Sequence, residues 1–146
     1  MIFDTTFRDK RIETAITDLA GERFNLIQRW RIKGTGSQKF FVRSSSPEID
    51  EKVCRKYQLK HCNIELRKQG VVLHFGSFAR TFVWAIPYRQ LDLEKNCSQI
   101  TIYSGAHFMT IADAYGGAID NQFLSKLHYL KAEQVLQSFE EHRLSV

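Results

Sequence analysis

The chain has 146 residues and a mass of 17.0 kDa, with 43% hydrophobic and 25% charged residues. That size and balance describe one globular domain, 1–146, able to bury a core, and exclude disordered and low-complexity classes. The formal charge is +5, and all of the excess lies in residues 1–60, which hold 13 Lys/Arg against 8 Asp/Glu.

The apolar runs reach only about five or six residues, far short of the roughly 20 that span a bilayer. Met1–Lys10 lacks the apolar core of a signal peptide, so a cytoplasmic location is expected. Cys54, Cys62 and Cys97 are odd in number and form no C-x-x-C pair, which points to reduced thiols rather than a disulfide scaffold or a zinc site.

Residues 8–20 carry Ile12, Ala15, Ile16 and Leu19 at helical spacing, with Thr6 and Asp9 as cap residues and Gly21 as a stop. Residues 23–33 alternate. Phe24, Leu26, Trp30 and Ile32 share one face, and Asn25, Arg29, Arg31 and Lys33 share the other. The pattern predicts a half-buried strand with a basic outer face and Trp30 in the core. Gly34-Thr35-Gly36 then turns the chain into a return strand, Lys39–Arg43, making a first hairpin. Ser46-Pro47-Glu48 starts a short helix, 47–58: Ser46 caps, Pro47 loses no hydrogen bond, and Glu48 opposes the helix dipole.

A meander follows. Ile64 and Leu66 alternate with Asn63, Glu65 and Arg67; Lys68-Gln69-Gly70 turns; Val71, Leu73 and Phe75 share a face. Thr81–Ile86 is apolar on both faces, so it needs cover twice: from the core, and from a helix, the N-terminal segment or another subunit. Leu91 and Leu93, then Ile100 and Ile102, then Met109 and Ile111 mark three further strands. Asp113–Asp120 is a loop, Asp120 a cap, and 121–141 a closing amphipathic helix. The order predicts an α+β fold: a bent antiparallel sheet closed by a C-terminal helix, with extra helices in the N-terminal part.

The step Ile86-Pro87-Tyr88-Arg89-Gln90-Leu91, followed by alternating strands and a helix, resembles bacterial pleckstrin-homology-like domains over roughly residues 62–141. The string Phe82–Tyr88 is also similar to that of small uncharacterised bacterial proteins. The resemblance implies a PH-like roll or barrel plugged by the last helix. The predicted helices 8–20 and 47–58 depart from that pattern. So does the spacing of the hairpin cations, and lipid binding is not implied.

Several constellations have chemical potential. Arg29, Arg31 and Lys33, with Lys39 and Arg43 alongside, form a candidate anion site for nucleic acid or a membrane headgroup. Phe41, Val83 and Ala85 are candidate interface positions, pointing to a homodimer or another protein partner. His74 and His107 are possible acid–base groups. Asp92 and Glu94 read as a solvated strand face. His61 and Cys62, as neighbours on a strand, point to opposite faces. No cofactor loop and no metal motif is present, so neither a cofactor nor a metal is expected. The reading favoured by these features is a non-catalytic binding or assembly module acting on a protein. Anion binding through the first hairpin and a small His/carboxylate enzyme are the alternatives.

Overall fold

A computed structural model describes residues 1–53, 61–76, 80–96 and 98–144. In chain order the elements are β1 (Ile2–Asp4), α1 (Lys10–Ala20), α2 (Leu26–Arg31), β2 (Phe40–Ser45), α3 (Pro47–Val53), β3 (His61–Leu66) and β4 (Gly70–Gly76). β5 (Thr81–Pro87), β6 (Asp92–Lys95), β7 (Gln99–Ser104), β8 (His107–Asp113) and α4 (Asn121–Leu144) follow. The fold is α+β: one open antiparallel sheet in the order β1-β5-β4-β3-β2-β8-β7-β6, with a C-terminal helix and smaller helices. The part of the expected helix 47–58 beyond Val53 lies outside the described residues, as do Cys54 and Cys97.

The sheet is strongly bent. Trp84 on β5 and His107 on β8 have ring centroids 6.2 Å apart, although β4, β3 and β2 lie between their strands. A flat sheet would hold those strands about 19 Å apart. β2, one of the strands between them, carries a register shift between Val42 and Ser44. An irregularity of this kind bends a strand and increases its twist.

Alternation puts Phe40, Ile64, Leu66, Leu73, Trp84, Ile86, Ile100, Ile102 and Met109 on the concave face, where they form one cluster. Phe123, Leu124 and Leu127 of α4 join that cluster, as expected of a closing helix. Asp120 caps α4 by accepting from Gln122 N at 2.9 Å. Gln38 fixes the loop before it: its amide donates to Asp113 Oδ1 at 2.6 Å, and its Oε1 accepts from Asp120 N at 2.6 Å. The Gln38 bond, then the backbone donors Gly117 and Tyr115, hold the Asp113 carboxyl below its ordinary pKa.

The convex face of β4 and β5 is the second apolar surface. Ile16 and Ala20 of α1 lie on Val72, Val83 and Ala85. Val83 and Ala85, expected as interface positions, are thus buried by the chain's own first helix and are not open to a second subunit. Asp9 caps α1 by accepting from Arg11 N, and Gly21 ends it at φ 82°. Thr6 does not share in that cap; its N–H and hydroxyl both donate to Asp4.

The Pro87-Tyr88 step locks the end of β5. Tyr88 is buried, and its hydroxyl donates to Arg67 O at 2.7 Å. Its pKa is raised by that burial. Gly70 faces the same corner. A Cβ there would sit 2.3 Å from Ile86 O, 2.9 Å from Pro87 Cα and 3.0 Å from Ala20 Cα. All three are backbone atoms, so nothing can rotate away. Gly70→Ala should therefore lower stability by about 1–3 kcal/mol in urea denaturation; an unchanged midpoint would contradict this packing.

Candidate functional site

The predicted first hairpin does not form. Residues 26–31 are helical, and β2 pairs instead with β3 and β8. The local cause is a capping box. Asn25 Oδ1 accepts from Gln28 N at 2.8 Å, and Gln28 Oε1 accepts from Asn25 N at 3.0 Å. Two free N–H groups at the start of α2 are satisfied together. Residues 35–37 then run beside β3, with Thr35 O accepting from Leu66 N and Ser37 N donating to Ile64 O.

The expected row of cations is consequently rearranged. Arg29 and Arg31 lie on α2, Lys33 in the turn after it, Lys39 just before β2, and Arg43 on β2. Arg29 Nε donates to Phe24 O at 2.9 Å. Lys126 Nζ of α4 donates to Lys33 O at 3.1 Å and Gly34 O at 3.3 Å, pinning the end of α2. The segment between Glu22 and Glu48 holds Arg23, Arg29, Arg31, Lys33, Lys39 and Arg43 and no Asp or Glu.

The alternation that suggested a strand also misplaced Trp30. It is 82% exposed, with Leu26 at 79% and Ile27 at 65%. Phe24 is the residue of this segment that packs partly against the core. Leu26 and Trp30 are four apart and Ile27 and Trp30 three apart, so the three form one knob on α2. Three large apolar side chains thus stand in water at the centre of a wholly basic segment.

A second charged group anchors this region. Glu65 on β3 meets Arg67 Nε at 2.7 Å, Arg23 Nε at 3.6 Å and His74 Nε2 at 3.9 Å. Arg67 is buried, so Glu65 is its counter-charge in a low-dielectric setting. Burial lowers the His74 pKa; Glu65 opposes the shift, while Arg67 and Arg23 add to it. The group ties the start of the basic segment to the sheet. Glu65→Gln would leave the Arg67 guanidinium buried without a carboxylate, and a loss of about 2 kcal/mol is expected in thermal or urea unfolding. A variant as stable as the parent would contradict that role.

His107 also meets a carboxylate. Its Nε2 lies 3.2 Å from Glu48 Oε2, and its Nδ1 lies 3.5 Å from Ser46 Oγ. The order Ser–His–Glu has the outline of a nucleophilic relay. Ser46 is buried, however, and its hydroxyl accepts from Phe108 N at 3.2 Å. A substrate has no approach to it. The three residues clasp α3 to the start of β8, and Ser46 holds β8 rather than capping α3 with its side chain. Cys62 is likewise buried, and desolvation pushes its thiol up to about 12.

Of the other sequence candidates, Phe41 is half-buried with its ring 5.2 Å from that of His61, while Phe40 points inward. Asp92 and Glu94 take separate partners: Lys131 Nζ at 3.7 Å from Asp92, and the Tyr103 hydroxyl at 3.1 Å from Glu94. α4 runs on past its buried turns. Its later residues Val135, Ser138, Phe139 and His142 line an open groove of about 400 Å3 with Arg89.

Among the described residues no His, Cys, Asp and Glu side chains cluster as metal ligands, and no helix is long and apolar enough to cross a membrane. No protein-family model, curated protein or solved structure matches the chain.

Proposed function

We propose that this protein is a non-catalytic binding module that docks on an anionic membrane surface through α2. The fold beneath it is proposed to be a PH-like roll, in keeping with the bent sheet and its helical closure. The observation that carries the function is the knob of Leu26, Ile27 and Trp30, held in water among Arg29, Arg31 and Lys33.

Leaving three such side chains exposed costs the isolated protein solubility and brings its fold nothing. A lipid interface offers each of them a destination. Leu26 and Ile27 enter the acyl boundary, and the Trp30 ring sits at headgroup level. The surrounding cations meet anionic headgroups, each contributing about 1 kcal/mol near the surface. Nucleic acid supplies phosphates and bases for stacking, but no apolar interior for two aliphatic side chains.

The experiment uses phosphatidylcholine vesicles with and without phosphatidylserine. Trp84 is buried and Trp30 is exposed, so a change in tryptophan emission reports Trp30. Emission should shift to the blue on phosphatidylserine vesicles and much less on neutral ones. Replacing Arg29, Arg31 and Lys33 with Gln should weaken binding on the order of 100-fold and flatten its salt dependence. No blue shift on either vesicle would overturn the proposal, as would binding that the three substitutions leave unchanged.

A further inference from the structure

α4 carries a second apolar stripe that lies outside the core cluster of its own domain. The buried side of the helix is formed by Phe123, Leu124 and Leu127, with Leu130 packed beside them. Tyr129, Ala132, Leu136, Phe139 and Arg143 recur at alternating steps of three and four residues. At about 100° per residue, that stripe lies on the side of the helix opposite the buried one. It is exposed: Tyr129 65%, Leu136 63%, Phe139 71%. In heptad terms Tyr129, Leu136 and Arg143 occupy a positions, and Ala132 and Phe139 occupy d positions.

We propose that this stripe is a self-association seam, occupied by α4 of a second copy of this chain in parallel orientation. The alternating spacing keeps a narrow line of side chains facing one partner helix, as in a two-stranded coiled coil. The flanks choose the orientation. Glu133 and Glu140 hold the e positions, and His128 holds the g position before Tyr129. A parallel pair sets His128 of each copy beside Glu133 of the other. An antiparallel pair would set Glu133 against Glu140 of the other copy twice, carboxylate to carboxylate. The charged Arg143 at an a position is compatible with a dimer and disfavours higher assemblies.

The seam lies on the side of α4 away from Phe123, Leu124 and Leu127, which face the core. The cost of nucleating the helix is already met by its buried first turns. Two heptads per copy fall at the low end of specific interfaces, below about 1,200 Å2 in total, so the dimer is expected to be weak and concentration-dependent. The seam shares no residue with the α2 knob, and its test is independent of the vesicle experiment.

Sedimentation equilibrium of the full chain, from low micromolar to several hundred micromolar, reads the outcome. The mass should rise from 17.0 kDa toward twice that value. Leu136→Asp combined with Phe139→Asp should weaken association at least about tenfold. Both positions are exposed, so the double variant should melt as the parent does, and circular dichroism checks this. Tyr129→Cys should form a disulfide-linked dimer on mild oxidation well above the wild-type background, because only the parallel register brings the two Tyr129 positions together. A monomer at every concentration would overturn the seam. So would a dimer indifferent to the two Asp substitutions, or a Tyr129→Cys variant that cross-links no more than the parent.

Discussion

The concave face of the sheet can be dry only if something lies across it. β5 and β8 are brought so close that Trp84 and His107 meet edge to face. Most of the large apolar side chains on the inner face therefore line one cavity. Its open side is filled by Ile119 and by Phe123, Leu124 and Leu127 in the first turns of α4. Each such side chain contributes about 1.5–3 kcal/mol when taken from water, so their removal would consume much of a domain's margin of stability. Polar contacts keep the lid in register. Gln38 holds the loop ahead of α4, Lys126 holds the turn after α2, and Lys131 donates to Leu91 O.

This division of labour explains why exposed apolar surface collects where it does. α1 covers the convex side of β4 and β5, and the opening of α4 covers the concave side. Ile49 of α3 completes the inner cluster. The knob on α2 and the distal half of α4 are apolar surplus, each with its own charge setting. α2 lies in a segment with cations and no carboxylates, whereas Glu133, Glu140 and Glu141 flank the end of α4. The two surfaces are thus suited to different partners, an anionic plane and a like helix.

Much of the fold was legible because alternation and end signals agreed. β3 and β7 alternate cleanly, Pro47 starts α3, and Asp120 caps α4. The double apolar face of Thr81–Ile86 predicted two covers, although only the structure shows that α1 is the second. Segment 23–33 failed because two signals conflicted. Phe24, Leu26, Trp30 and Ile32 have the period of a strand, while Asn25 and Gln28 form a capping box that fixes a helix start. Periodicity won in the sequence and capping won in the structure, and Trp30 moved from expected core to solvent. β1 was missed for another reason: three residues are too few for a pattern, and the strand it pairs with, β5, lies some eighty residues on. The candidate cations could be named from sequence, but their arrangement around an apolar knob could not, because it depends on which way α2 turns its side chains.

The most direct measurement compares two truncations by chemical denaturation. Ending the chain after Gln134 removes the exposed part of α4 and keeps every turn that meets the core. Ending it after Asp120 removes the lid. The longer fragment should unfold cooperatively, close to the full chain, while the shorter one should be insoluble or lack a cooperative transition. A cooperative, well-folded fragment ending at Asp120 would contradict the account.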